Sequence, residues 1–486
     1  MFTPKPQLVS ESSLDGSAPP VVHIPLEARR SSKAHAAYNA ALDEHGPVIM
    51  VPRHGRNEYI IDHRYAHEIL TDSKNFMFET AAFDMLHLGF LTLFRDGGFV
   101  NDIDTLIEKN VQPRMNAIID HIFPVFQSYF DNMTDRVRTL TNDEKYVELP
   151  GVYHQLQLAL AHAVVVMILG QDCASSTTAS HFAAVASGVA RMTGMHENTD
   201  EWVIFPKLWV LMTGFSAVLF TIIPKFFNII PMLWRTRKQH LENGLAGRHG
   251  DFVPLFDILL TKYYYKQSGI SAVLGFLRCA LICVGVIFAS IHQTVVACTW
   301  ILVKLTQVQE EYLPAIREEW ETVNPPGESL DVKKLSQLTI LDSFIREVMR
   351  TKGDLFAPLR HTQREIRVGP YVLPKNAMCM ILISRAHRHP DNYGTTGEVF
   401  DPLQWHKSER PAVQVTPQYL AFGLGRWACP GRQLAVHEIK IMLYMFFSHF
   451  DIKLKEGSFR VVDPINTTSI APEATLLLRL RKELRT

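Results

Sequence analysis

One stretch limits the folds open to this chain. From Cys279 to Val303 there is no Asp, Glu, Lys or Arg, a run long enough to cross a bilayer. Ser290, His292, Gln293 and Thr294 lie at its centre, and such groups are costly in lipid unless other helices enclose them. A helix through the middle of a large helical domain is equally long and equally apolar. The run is therefore read as a core helix. A second uncharged stretch, Leu208 to Pro224, contains Gly214 and Ser216 and is followed by Arg235, Arg237 and Lys238. It reads as a partly exposed apolar helix pair resting on a membrane surface, with the basic cluster at the headgroups.

A chain of 486 residues corresponds to about three domains at roughly 150 residues each. No low-complexity linker follows residue 35 and no internal repeat is visible. Residues 1–35 read as a tail: Met1 to Pro20 is rich in Ser, Pro and Asp and has no apolar run, so it is read as neither signal peptide nor anchor. Lys plus Arg is 49 and Asp plus Glu is 49, which excludes bulk electrostatic binding of nucleic acid. Hydrophobic residues at 47% and charged residues at 20% permit a large buried core. The cysteines, at 173, 279, 283, 298, 379 and 429, include no CxxC pair, which argues against a zinc ribbon, a redox pair or a disulfide framework and for a reduced compartment.

The periodicity is mostly helical between about residues 100 and 350. Arg114 to Met133 and Gln307 to Val323 carry apolar residues at three- and four-residue steps, and Asn324-Pro-Pro-Gly327 ends the second helix. Thr339 with Asp342 resembles a capping box opening a helix from Ile340 to Arg350. Strand-like runs occur at Val48–Val51 and Tyr59–Ile61, around the turn at 53–57, and again at Ile366–Val368, Tyr371–Leu373 and Ala377–Ile383. A last helix, Gln433–Phe450, precedes a strand at Leu476–Arg481. The fold class is mostly α with a smaller β-rich part.

The segment Phe422-Gly-Leu-Gly-Arg-Trp-Ala-Cys429-Pro-Gly431 runs into that last helix. Loop N–H groups and a helix N-terminus favour a thiolate over a thiol, and glycine lets backbone approach a flat ligand. N–H groups on a metal-bound sulfur tune its donor strength. One cysteine without clustered histidines suits zinc poorly, whereas haem needs a single axial thiolate. Phe422, Gly425, Cys429 and Gly431 match Phe-x-x-Gly-x-x-x-Cys-x-Gly, and the segment resembles the haem-ligand signature of the cytochrome P-450 family.

Three further segments resemble that family in its usual order. Glu347-Val-Met-Arg350 is similar to its ExxR pair, in which two residues on one helix face form a carboxylate–guanidinium contact. Phe400-Asp-Pro-Leu-Gln-Trp405 resembles the meander, with Gln404 where the family's third network member, Arg or His, stands; His406 is a possible substitute. Ala289-Ser-Ile-His-Gln-Thr294 resembles the oxygen-activation segment. The family's acid falls on His292 and its alcohol on Gln293, with Thr294 next. The resemblance implies that Gln293 donates a hydrogen bond and that His292 relays protons, or that a π-bulge brings Thr294 into the alcohol's place. It also implies that Arg360, in Phe356-Ala-Pro-Leu-Arg360, pairs a haem propionate, with the Trp427 indole N–H as a second donor.

The resemblance, closest in texture to fungal microsomal members, runs from about residue 45 to the end. It implies a helix-rich triangular prism in which residues 36–486 form one catalytic domain. It implies haem as cofactor, with iron held by Cys429, whose electron donation favours O–O cleavage. The implied activity is a monooxygenase acting on a small, largely apolar metabolite such as a terpenoid or alkaloid. Dioxygen and electrons from an NADPH-cytochrome P-450 reductase would be consumed, with Arg426, Arg432 and Lys440 as basic docking contacts. A monomer on the endoplasmic reticulum surface, or in the cytoplasm, is expected. Two alternatives stay open: a haem-thiolate enzyme of desaturation, radical coupling or rearrangement, and a degenerate ligand-binding member.

Overall fold

The computed structural model describes residues 16–29, 31, 34–53, 56–86, 98–140, 145–149, 151–192, 206–243, 252–325 and 328–482. Of the expected features, most of the Met1–Pro20 segment, the tip of the 53–57 turn and residues 326–327 lie outside these.

The uncharged run forms the middle of one 39-residue helix, Gly269–Gln307. Helices Val152–Leu169, Ser176–Met192, Leu255–Tyr263, Thr339–Thr351 and Arg432–His449 pack around it. Between Cys279 and Thr306 only Ala289 is exposed, so the polar groups at its centre find protein partners rather than lipid. Three helices are long and apolar enough to cross a membrane by length and composition: Val152–Leu169, Gly214–Gln239 and Gly269–Gln307. The first is apolar all round because it is wrapped by neighbours, with 78% of its residues buried; in the most apolar 18-residue window of the second only 17% are.

Helix Met115–Leu140 contains the expected Arg114–Met133 pattern. The helix expected from Gln307 starts at Gln309, because the central helix continues to Gln307 and turns at Val308. The capping box at Thr339 and Asp342 does not form. Leu338 is the N-cap, and its side chain carries no acceptor. Instead Glu319, on the preceding helix, accepts from the N–H groups of Ile340 (2.7 Å) and Leu341 (3.1 Å). A carboxylate from a neighbouring helix satisfies the same orphan donors and suits the positive end of the dipole. Asp342 is thereby released to accept from the Ala412 N–H (2.6 Å) and to pair with Lys440 (2.8 Å).

The β-rich part is a five-stranded sheet in the spatial order Val48–Arg53, Arg56–Ile61, Met378–Leu382, Phe356–Thr362, Phe76–Met77. The first pair is antiparallel, from Val48↔Ile61 to Arg53↔Arg56, and Arg56–Ile61 runs parallel to Met378–Leu382. Part of the expected tail belongs to this sheet's surroundings: Val21 bridges to Met50, and Ile24 is buried in the same core. A three-stranded sheet joins Val147–Leu149, Leu476–Leu480 and Phe450–Leu454, and Ile366–Val368 forms a hairpin with Tyr371–Leu373.

Candidate haem-thiolate site

The cysteine loop is shaped by two glycines at positive φ, Gly423 (75°) and Gly425 (74°). A side chain at Gly425 would also meet the Leu70 carbonyl, whose oxygen lies 2.3 Å from the Cβ position. The loop is thus seated on helix Ala66–Thr71, and only glycine fits the seat. The Cys429 N–H closes the loop on the Phe422 carbonyl (2.8 Å). Helix Arg432–His449 then begins immediately after Gly431. Burial pushes the Cys429 thiol up, while the N–H groups of Gly431 and Arg432 and the charge of Arg432 pull it down. Those donors are the ones that moderate a metal-bound thiolate. A Cβ at Gly431 would meet nothing within 4 Å beyond its chain neighbours.

Two buried polar groups lie near this loop and meet no anion among the described residues. Arg360 is fully buried. Its Nη2 reaches only the carbonyls of Leu424 (3.3 Å) and Leu70 (3.4 Å), its Nη1 reaches that of Leu359 (2.9 Å), and its Nε has no partner. Burial pulls its guanidinium down to about 10. The Trp427 Nε1–H is likewise buried and finds no acceptor among the described residues. Phe78 stands between them, 5.6 Å from the Arg360 guanidinium and 5.7 Å from the Trp427 ring. An unpaired buried cation is costly. A flat ring carrying carboxylates, held by the nearby thiolate, satisfies both donors, so these residues fit haem.

The Glu347–Arg350 pair is enclosed. Glu347 Oε1 and Oε2 accept from Arg350 Nη2 (2.7 Å) and Nε (2.9 Å). The remaining Arg350 donors go to the carbonyls of His387 (2.8 Å), Gly397 (2.6 Å) and Val399 (2.8 Å). Glu347 also accepts from the Asp401 N–H (3.0 Å) and from the Trp405 indole N–H (3.0 Å). Gln404 makes none of the described bonds to this pair, and His406 bonds Thr339 instead (2.9 Å). The third side chain of the network is therefore Trp405, adjacent to the expected position. His387 extends the network to the cysteine loop: its Nε2 accepts from the Leu420 N–H (2.9 Å), and burial holds its pKa down to about 3.

On the central helix, Ala289 is open and Gln293, one turn on, is half-buried. His292 is fully buried and turned elsewhere. Its Nε2 meets the Ser469 carbonyl (3.0 Å) and its Nδ1 meets the Tyr153 hydroxyl (3.0 Å), with Phe288 stacked on the ring. A carbonyl only accepts, so the proton sits on Nε2 and the Tyr153 O–H donates to Nδ1. Both nitrogens of His292 thus meet protein groups. Gln293 Nε2 reaches Ser469 Oγ (3.4 Å). The helix is regular α throughout this region, and Thr294 is buried. The π-bulge considered for Thr294 does not form.

Lys440 is only 2% exposed and is held by Asp342 and the Leu335 carbonyl (2.8 Å each), so it offers no docking contact. Arg432 turns back to the Cys429 carbonyl (2.8 Å), and Arg426 is paired with Asp104 and bonded to Asn101 (3.1 Å). On the same helix as Cys429's loop, burial pushes Glu438 up to about 8. Trp405, Tyr153, Ser469 and Phe78 were not singled out in the sequence. Only Trp405, beside Gln404 in the meander, had a local signal.

A thiol loop heading a helix, beside buried donors that lack an anion, defines a haem-thiolate protein. The family model described as cytochrome P-450 matches residues 16–477. The chain is 30% identical over 202 residues to cytochrome P-450 monooxygenase 71 of Postia placenta, covering 39% of this chain and 40% of that protein. It is 30% identical over 213 residues to cytochrome P-450 monooxygenase ntnM of a Nectria species, covering 42% and 41%. It is 30% identical over 182 residues to the mitochondrial 25-hydroxyvitamin D-1 alpha hydroxylase of Rattus norvegicus, covering 37% and 36%. Each match spans about two fifths of the relative's own length. The chain belongs to the cytochrome P-450 family.

Proposed function

We propose that this protein is a monooxygenase that oxidises a small, largely apolar metabolite, of the terpenoid or alkaloid kind, with dioxygen and electrons from an NADPH-dependent reductase. The observation that carries the reading is the buried Arg360 guanidinium, which meets no anion among the described residues and lies beside the Cys429 loop. Relatives named as monooxygenases in two fungi support the activity and the fungal metabolic setting.

Haem bound here supplies the activation of dioxygen. Cys429 ligates its iron, the N–H groups of Gly431 and Arg432 restrain the sulfur's donor strength, and Arg360 and Trp427 hold its carboxylates. Ala289 and Gln293 share one face of the central helix, and Gln293 keeps an amide N–H beyond the one shared with Ser469. His292 holds its proton at Nε2 against Ser469 and positions that loop. Reconstitution with a reductase, NADPH and metabolite extracts under labelled dioxygen tests the reading by mass spectrometry. A product carrying one labelled oxygen is expected. Turnover without inserted oxygen overturns it in favour of desaturation, radical coupling or rearrangement, the reading that Gln293 at the alcohol position and the buried Thr294 favour. Independently, the reduced carbon-monoxide complex is expected to show the red-shifted Soret band of thiolate ligation, and Cys429→Ala to lose it.

The same proposal places the protein against a membrane surface. Leu211, Met212, Phe215, Phe220, Phe227 and Trp234 are exposed on the helices spanning 206–243, with Ile270 and Val273 on the start of the central helix. Exposed apolar side chains gathered on neighbouring helices are the mark of an interface. Arg235 and Lys238 are exposed beside it, whereas Arg237 folds onto the Trp234 ring (4.0 Å). Flotation with anionic vesicles is expected for the intact chain and to weaken in a Phe215→Ser, Phe220→Ser double variant; equal flotation of both overturns the assignment.

A further inference from the structure

Outside the haem site, two imidazoles face one another where a strand end meets a helix corner. His63 opens the short turn after strand Arg56–Ile61, and His389 caps the four-residue helix Pro390–Tyr393. Their ring centroids are 4.7 Å apart with the planes inclined at 39°. The Asp391 carboxylate lies 3.4 Å from His389 Nδ1. Among the described residues these three are the one group of His, Cys, Asp or Glu side chains whose donor atoms all come within 4.8 Å of each other.

The pair is backed by fixed groups. His63 is 95% enclosed, at 5% exposure, and its Nδ1 lies 3.2 Å from Asp62 Oδ1, off the line of a good hydrogen bond. Asp62 is itself buried and immobilised: Arg64 donates through its backbone N–H and its Nε (2.9 Å each), and Arg385 Nε lies 3.0 Å from Oδ2. A fixed carboxylate beside one imidazole nitrogen is the kind of backing that metal-ligating histidines have.

We propose that His63, His389 and Asp391 form a binding site for a divalent transition-metal ion such as Zn2+, braced by Asp62 and separate from the haem. Two imidazoles and one carboxylate suit borderline cations and disfavour calcium and magnesium, which take oxygen ligands. In a tetrahedral zinc site the donors stand about 3.3 Å apart, given bonds of about 2.0–2.1 Å. The Asp391 side chain is 64% exposed, with room to move inward to that spacing, and water serves as fourth ligand. The bound ion would tie the strand end to the helix carrying Tyr393, whose ring lies 4.9 Å from the Arg350 guanidinium.

The test uses haem-loaded, chelator-treated protein titrated with zinc chloride, read by calorimetry and by absorption at the zinc K-edge. One zinc per chain with two imidazole nitrogens and no sulfur is expected, with the Soret band unmoved. Asp391→Asn, an exposed change that leaves the fold intact, and His63→Gln are each expected to weaken binding at least tenfold; Asp62→Asn should weaken it less. Three results overturn the site: no saturable binding, sulfur scattering at about 2.3 Å that places the ion on a cysteine, or unchanged affinity in both ligand variants.

Discussion

The meander and the central helix both depart from the family's usual residues, and the chain handles the two departures differently. In the meander, Gln404 stands at the third network position but takes no part, and the neighbouring Trp405 donates to Glu347 in its place. The Glu347–Arg350 pair keeps its full set of partners. On the central helix, His292 and Gln293 are not replaced by neighbours. They make new contacts, to Tyr153 on one side and to the Ser469 loop on the other. The first site is fully enclosed, where an unsatisfied buried group is costly, so any donor that reaches Glu347 is retained. The second borders the opening at Ala289, where the demand comes from a ligand and a loop rather than from one buried charge.

Substitutions can break this contrast. The largest effect is expected from Glu347→Ala, which leaves the buried Arg350 charge without its partner: about 3–5 kcal/mol of stability, read by chemical denaturation of the haem-loaded protein. Trp405→Phe keeps the ring and removes the N–H, so one carboxylate oxygen loses a donor; about 1–3 kcal/mol is expected. If the meander were merely packed and not bonded, Trp405→Phe would be neutral.

His387, which links the network to the cysteine loop, makes stability depend on pH. Its folded pKa of about 3 lies below the ordinary 6.5. Between those values the unfolded chain binds a proton that the folded one does not. Stability is therefore complete above 6.5 and falls as pH drops toward 3, by at most about 1.4 kcal/mol per unit from this group. Denaturation midpoints across that range should show the slope, and His387→Gln should flatten it. Tyr153→Phe is expected to cost about 1 kcal/mol, and to alter ligand-induced spectral shifts more than the melting point. Gln404→Ala should stay within about 0.5 kcal/mol; a loss as large as that of Trp405→Phe would erase the distinction between the two positions.

Much of this was legible in the chain alone. The thiol loop is local: its glycines, its cysteine and the helix that follows lie within a few residues, and Gly425 is dictated by the approach of Leu70. The core helix announced itself by an uncharged run too polar at its centre for lipid. The strands around residues 48–61 and 366–383 followed from alternation and turn residues. What stayed hidden depends on distance. Tyr153 and His292 are 139 positions apart, and Glu319 caps a helix that begins 20 residues later. Lys440 reads as a surface base until Asp342, freed from its expected capping role, takes it inside. Trp405 needed the geometry of a turn to displace its neighbour.

Arg360 has a consequence for how the protein comes to exist in a cell. A fold that encloses a cation with no counterion among the described residues is incomplete as a polypeptide alone, and the prosthetic group that neutralises it binds the folded state selectively. Mass action then adds about 4 kcal/mol to the folded state when free ligand exceeds its dissociation constant a thousandfold. Abundance of the protein should therefore track haem supply during synthesis, with chains made under haem starvation cleared by proteolysis before they mature.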